Sequence, residues 1–403
     1  MSAAFIGLRT GRPYPFTQLD EFGDDGETLE LQGQLHRAAR IRTGRTVYER
    51  FADFWHLEVD CAHCTLGEGH TPLIKAPASV KAYTGLDRLF LKNETANPTW
   101  SFKDRGTVAC CALARQLGEH YLATVSTGNM GQSVAAYAAR CGLQAVIIVP
   151  ATAAPEKLLS AALYGAKILR VKTPDLGLLK RHLAALARAL KLRITSGANP
   201  IRVEGYKFAS FELLEQLEGM IPDFVAVATS AAGHIRGLHK GWRELEQAGI
   251  IETLPRMILI QAAANAPLAD AILADLSDPI PYPPPQTLAS ALTNNAPPGG
   301  TDVLELAKRY QWLAEVVTED EIREGWQIAL RAGLWLEPSS ALVLPALRNL
   351  ARRRVLSRDA PVVAMLTGAG PKDTNIVSAG ATLPEYITLQ QLEKKLLAAL
   401  GLA

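Results

Sequence analysis

The sequence predicts an α/β fold in two lobes, on three observations. From about Leu89 onward, short β-branched runs alternate with Ala/Leu-rich amphipathic stretches, the pattern of βαβ units around a mainly parallel sheet. The chain has 403 residues, more than one small domain needs. Hydrophobic residues make up 48% of it and charged residues 20%, which fills a large interior, yet no run reaches the ~18 apolar residues of a membrane helix.

Residues 1–66 are polar, aromatic and irregular, with candidate helices over Leu29–Ile41 and Val47–Phe54, and read as an amino-terminal arm without recognisable chemistry. The first clear unit beyond it is strand Tyr121–Ser126, turn Thr127-Gly128-Asn129, helix Met130–Arg140 and strand Ala145–Val149. Next come helix Glu156–Tyr164, strand Lys167–Val171, helix Leu176–Leu190, strand Phe224–Ala228, helix His234–Glu246 and strand Met257–Gln261. Thr318 and Glu321 form a capping box that opens a helix to about Arg331, because the Thr hydroxyl accepts from the third helical amide while the Glu reaches back. Asp278–Gly300 holds Pro-Tyr-Pro-Pro-Pro and Pro-Pro-Gly-Gly, which cannot sustain a ladder and predict a long ordered loop bordering the site.

Composition narrows the function. A net charge of +2 spread over interspersed charges offers no basic track for nucleic acid. The amino-terminal residues show no secretion pattern, so a cytoplasmic location is expected, with no membrane partner. Five cysteines argue for reduced thiols over a disulfide framework, and the lone Cys61-Ala62-His63-Cys64 lacks the second pair a zinc site needs, so no metal is expected.

Four segments carry candidate chemistry. In Asn97–Gly106, Lys103 stands just past a Pro-directed turn at the start of an Ala-rich helix, Thr107–Leu117, and is expected to point inward. A buried lysine is costly unless its amine is neutral or covalently occupied, and a neutral amine is what a Schiff base with a cofactor aldehyde requires. The plainer reading is a surface Lys-Asp-Arg cluster capping that helix. Ser126-Thr127-Gly128-Asn129 offers hydroxyls and an amide in a strand-to-helix turn, suited to a carboxylate or ring hydroxyl. Ser230-Ala231-Ala232-Gly233-His234 opens a helix after an apolar strand, where free amides favour a phosphate, although a plain βα turn reads equally well. Thr367 follows the last apolar strand and could meet a heterocycle nitrogen at the sheet's carboxyl edge.

The order and spacing of these segments, with LGEGHTPL from Leu66, SFKDRG, STGNMGQSVAAYAARCG, NPIRVEGYKFASFEL, WLEPSSA and LTGAGPKD, resemble the threonine synthases within the fold type II pyridoxal-phosphate enzymes. The resemblance covers roughly three quarters of the chain. It implies two doubly wound three-layer αβα domains with pyridoxal 5'-phosphate in the cleft between them. The implied large domain spans 67–105 and 202–385, the small one 106–201, and a carboxy-terminal helix 386–403. It implies that Lys103 holds the cofactor, that Asn129 bonds its ring hydroxyl and that Thr367 faces its ring nitrogen. Ser230, Ala231, Ala232, Gly233 and His234 would bind its phosphate.

Ser101, Arg105, Ser126, Thr127, Gly128, Ser196 and Arg202 are the matching substrate candidates. The implied reaction is elimination of phosphate from O-phosphohomoserine and addition of water to give threonine, in a homodimer.

Three positions depart from the family pattern. The usual GNxGN phosphate loop reads Ser230–His234 here, which stays usable where φ is negative and where His234 adds a charged bond. Met130 replaces a threonine that contacts substrate phosphate, and Ser196-Gly197 replaces an Asn-Ser pair. Those losses favour, as an alternative, a β-eliminating or β-replacing enzyme of serine, threonine or phosphoserine; a silent amino-acid-binding homologue is a further alternative, against which Lys103, Asn129 and Thr367 stand intact.

Overall fold

The computed structural model describes residues 3–15, 21–33, 35, 39–153, 155–173, 193–373 and 388–400, with residues 179, 182, 183 and 186 between them. The expected helix Leu176–Leu190 lies almost wholly outside the described residues.

The arm folds into a small antiparallel sheet of β1 (Ala4–Gly7), β2 (Pro13–Tyr14) and β3 (Leu29–Gln32), with β1 in the middle. The first four residues of the expected helix Leu29–Ile41 are therefore a strand, and residues 34 and 36–38 of it lie outside the described residues. Leu29 and Leu31 are buried while Glu30 pairs with Arg243, so a short run that fits either period is settled by the partners it meets. Thr46 caps the turn Val47–Arg50 in a capping box with Glu49.

Two further sheets follow. β4 (Leu73–Lys75) and β5 (Leu89–Asn93) precede a three-stranded parallel sheet of β6 (Tyr121–Val125), β7 (Gln144–Pro150) and β8 (Lys167–Val171). β9 (Phe224–Ala228), β10 (Arg256–Ala262), β11 (Leu313–Val317) and β12 (Val362–Leu366) then join β4 and β5 in a six-stranded sheet ordered β11-β10-β9-β12-β5-β4, in which β4 alone runs antiparallel. Phe-Val-Ala-Val-Ala, Met-Ile-Leu-Ile and Val-Val-Ala-Met-Leu are near-continuous apolar runs because helices cover both faces of this sheet. Val362 pairs with both Leu89 and Phe224, so β12 sits between a strand from the first quarter of the chain and one from its middle.

Of the expected helix Val47–Phe54 only Val47–Arg50 is α-helical, while several connecting helices hold with small shifts. Helix Asn129–Cys141 connects β6 to β7, helix Glu156–Leu163 leads into β8, and helix Gly233–Gln247 follows β9. Thr318 and Glu321 form the capping box of helix Glu319–Arg331. The Pro-rich stretch before Gly300 is free of helix and strand from Ala274 onward.

The helix after Lys103 begins at Lys103 itself and runs to Gln116. Buried ions anchor it: Arg105 donates to Glu94 at 2.6 and 2.9 Å and to Glu212 at 2.7 Å twice, and Lys92 pairs with Glu212 at 2.6 Å. Removing one partner would strand a buried charge, at a cost of ~3–5 kcal/mol. A second cluster gathers His56, Glu204 and Glu244 closely enough for a metal, but the ammonium groups of Lys207 and Lys240 already bridge its carboxylates. All five cysteines are buried and unbridged. Among the described residues no helix is long and apolar enough to cross a membrane.

Candidate active site

A cleft of about 1380 Å³ opens at the carboxyl ends of β6, β9 and β12. In the larger sheet β9 and β12 are where strand order reverses, the place at which open α/β sheets leave a crevice. The Ser126–Asn129 turn walls one side, Thr229–Ile235 the other, and Thr367 and Glu337 close the end.

Lys103 reaches this cleft because the chain before it is stitched to the end of β12. Phe102 N–H donates to Thr367 O at 3.2 Å, Ser101 bridges Gly368, and Ala369 N–H donates to Trp100 O at 3.1 Å. Trp100 takes a left-handed φ of 63° to make that turn. The half-buried amine of Lys103 lies 4.1 Å from the centre of the Phe102 ring, and no hydrogen bond or ion pair reaches it among the described residues. Burial, with the positive charges of Arg202 and Lys372, brings its pKa down to about 7, against the opposing pull of Glu337. The amine is thus available in its neutral form near neutral pH.

Asn129 opens its helix with its side chain turned into the cleft, where Nδ2 donates to Glu337 Oε2 at 2.9 Å. Burial raises the Glu337 carboxyl above its ordinary range, despite Lys372 and the Asn129 bond. Gly368 lies against this pair: a Cβ there would lie 2.6 Å from Glu337 Oε2, so the carboxylate would have to move. Thr367 sits at the β12 edge, where its N–H donates to Ser340 Oγ at 2.8 Å. Across the mouth, Lys157 meets Ser290 at 3.1 Å and Asp373 at 3.5 Å, joining the helix before β8, the Pro-rich loop and the segment after β12.

The Ser230–His234 turn opens helix Gly233–Gln247, and no side chain caps its first amides. Gly233 is fixed by a close approach: a Cβ would lie 1.9 Å from the carbonyl of Gly197. The expectation that φ stays negative through this turn is corrected. Ala232 adopts φ 58°, so the loop does use a left-handed residue where a glycine would be usual. The His234 ring stacks on Phe102 at 3.9 Å and 13°, both its nitrogens lack partners among the described residues, and burial brings its pKa down to about 3.

Lys103, Ser126, Thr127, Gly128, Asn129, Ser196, Ser230, Ala231, Ala232, Gly233, His234 and Thr367 all line the cleft. Three candidates do not. Arg105 is wholly engaged by Glu94, Glu212 and Thr71 behind the helix. Ser101 is fully buried beneath the cleft beside Lys372. Arg202 is fully buried under the wall, donating to Thr107 at 2.7 Å and Thr195 at 3.1 Å. Glu21, Glu337 and Lys372 line the cleft without having been expected. Glu337 lies within the quoted WLEPSSA, where a carboxylate before a helix-opening proline was the available signal; Glu21, remote in the arm, gave none.

Residues 64–368 match the family model described as pyridoxal-phosphate dependent enzyme. The threonine synthase of Methanocaldococcus jannaschii is 35% identical over 329 residues, covering 80% of each chain. That of Methanosarcina acetivorans is 34% identical, covering 80% of this chain and 79% of its own. Among solved structures, maize serine racemase superposes with a TM-score of 0.63 over 90% of this chain and 98% of its own, at 20% identity. Diaminopropionate ammonia lyase from Escherichia coli gives 0.65 over 78% and 87%, at 16% identity. At these identities the structural likeness carries the fold, while the closer sequence matches carry the kinship: the chain belongs to the pyridoxal-phosphate dependent enzymes, among the relatives of the threonine synthases.

Proposed function

We propose that this enzyme eliminates phosphate from O-phosphohomoserine and adds water to yield L-threonine, with Lys103 as its base. The observation that carries the reading is the Lys103 amine, unpaired in the cleft and brought to about pKa 7, in a chain 35% identical to a threonine synthase.

The residues present fit pyridoxal phosphate. The unpartnered Lys103 amine suits its aldehyde, the uncapped turn Ser230–His234 suits its phosphate, and Asn129 and Thr367 offer polar groups to its ring between them. When bound, the cofactor draws electron density from the substrate's Cα and so acidifies its proton.

The chain's own groups would then divide the work. Lys103 Nζ would take the Cα proton and give it up before taking a Cβ proton; as phosphate leaves Cγ it would return a proton there, and Cα would regain its proton after water adds at Cβ, exchanges that suit an amine with a pKa near 7. The hydroxyls of Ser126 and Thr127 and the backbone of Gly128 hold the substrate carboxylate. Glu337 fixes the Asn129 side chain and sets the charge felt at Lys103. Phe102 and His234 stack to keep water from the face beside Lys103. The large lobe is read as 67–105 with 202–385 and the small lobe as 106–201, acting as a cytoplasmic homodimer on a small amino acid.

A second reading, β-elimination or β-replacement on serine, threonine or phosphoserine, draws on Met130 and Gly197, which line the cleft without a side-chain donor for a phosphate. Incubating purified enzyme with O-phosphohomoserine and identifying the amino-acid product separates the two, with Lys103→Ala as control. Threonine from the wild type alone supports the first; a cofactor-loaded enzyme that leaves this substrate untouched overturns it.

A further inference from the structure

The arm delivers a carboxylate to a part of the cleft wall built from hydrogen-bond donors. The Ser196 N–H donates to Glu21 Oε1 at 2.5 Å, and Asn199 Nδ2 donates to the same oxygen at 2.9 Å. Asn199 presents its donor end because its Oδ1 accepts from the N–H groups of Ile201, at 2.9 Å, and Arg202, at 3.4 Å. Arg202 lies fully buried behind them, and among the described residues no carboxylate pairs with it. Its terminal nitrogens donate to the hydroxyls of Thr107 and Thr195, and the hydroxyl beside it, that of Tyr206, is neutral as well.

A buried guanidinium balanced by neutral hydroxyls leaves its positive charge to attract an anion nearby. Glu21 feels that attraction, yet burial still raises its pKa overall, so its contacts do not fully offset the loss of water. Glu21 is thus a carboxyl group held in a site that does not satisfy it completely. Glu21, Ser196 and Gly197 share the same cleft with Lys103. Met130, which lines the same cleft, brings no competing donor or acceptor of comparable strength.

We propose that Glu21 is the resident occupant of the subsite for the substrate's anionic leaving group, so that the arm and a substrate phosphate compete for Ser196, Asn199 and the field of Arg202. This rests on the elimination reading above and names the residue that sets its selectivity. A dianion displaces the single carboxylate charge, whereas an uncharged leaving group has no means to do so. Glu21 therefore weakens binding of phosphorylated substrates without entering the chemical steps.

The test compares cofactor-loaded wild type, Glu21→Gln and Glu21→Ala. Inorganic phosphate is titrated by calorimetry, and KM and kcat for O-phosphohomoserine are measured alongside. The expected result is phosphate binding tighter by about tenfold or more in Glu21→Ala, less so in Glu21→Gln, with KM falling in step and kcat within about twofold of wild type. Glu21→Gln keeps the acceptor oxygen and the shape of the arm, so a folding defect in the alanine variant cannot imitate the effect. Equal or weaker phosphate binding and unchanged or higher KM in both variants overturn the proposal. If phosphate binds the variants more tightly but no protein converts O-phosphohomoserine, the elimination reading falls and the role of Glu21 stands. If threonine forms and the variants match wild type, only the role of Glu21 falls.

Discussion

Asn129 Nδ2 and Glu337 Oε2 meet at 2.9 Å across the end of the cleft, one from the start of a helix on the smaller sheet and the other from the start of a short helix near β12. Gly368 lies against both, so the contact depends on a residue without a side chain. In Gly368→Ala the new Cβ would lie 2.6 Å from Glu337 Oε2 and 3.1 Å from Asn129 Nδ2. The variant is expected to lose about tenfold or more in kcat, because misplacing a site group by a fraction of an ångström is enough for that. Steady-state kinetics with the absorbance of the bound cofactor would show it; wild-type values would mean that the contact does not matter.

Lys103 gives a pH prediction with a definite sign. Its pKa in the fold is about 7, below the 10.5 of a free lysine, so between those values the unfolded chain binds more protons than the folded one. Stability of the cofactor-free protein should therefore rise across that window relative to Lys103→Ala, and the destabilising charge should be fully present below about pH 7. Urea denaturation of both proteins at pH 6 and pH 9, about one unit outside and well inside the window, reads this directly. The rate at which cofactor-free protein takes up pyridoxal phosphate should climb through the same pKa, and Lys103→Ala should show no visible absorbance.

His234 acts through its ring face and not through charge. With a pKa of about 3 it stays neutral at working pH, and its contact is the stack on Phe102. His234→Phe should hold cofactor affinity within about threefold, while His234→Ala should weaken it by up to about tenfold, the scale of an aromatic pair. An ionisation in the pH–rate profile that disappears in His234→Phe would contradict the neutral assignment.

The turn before helix Gly233–Gln247 sets two small substitutions against each other. Gly233→Ala places a Cβ 1.9 Å from the Gly197 carbonyl, backbone against backbone, and should lower both cofactor affinity and melting temperature. Ala232→Gly relieves a left-handed alanine, worth ~1–2 kcal/mol, but loses a buried methyl worth ~0.8 kcal/mol and adds ~0.5–1 kcal/mol of backbone entropy to overcome. It should come within about 1 kcal/mol of wild type by chemical denaturation.

The sheets, the connecting helices and Lys103, Asn129 and Thr367 were legible in the sequence because each site residue stands at the end of an apolar strand or the start of a helix, where local pattern and location coincide. Arg105 and Arg202 were not. In sequence a buried arginine looks the same as one lining a cleft, and what decides is the distant carboxylates: Glu94 and Glu212 claim Arg105 from both sides of it in the chain. Arg202 is set apart by threonine hydroxyls instead. The strand at Leu29 was misread because four residues cannot distinguish a period of 2 from one of 3.6 without the neighbouring strand that pairs with them.

Val362–Leu366 lies between Leu89–Asn93 and Phe224–Ala228, so the floor of the cleft needs a strand from the last eighth of the chain before it closes. During synthesis the earlier strands emerge first and must wait, with their apolar edges bare, for β12 to arrive. Lys103 itself is placed by Thr367 and Ala369, which leave the ribosome at the same late moment. Cofactor loading thus belongs to the finished chain, and a nascent chain stalled before β12 would have its lysine made but not yet aimed.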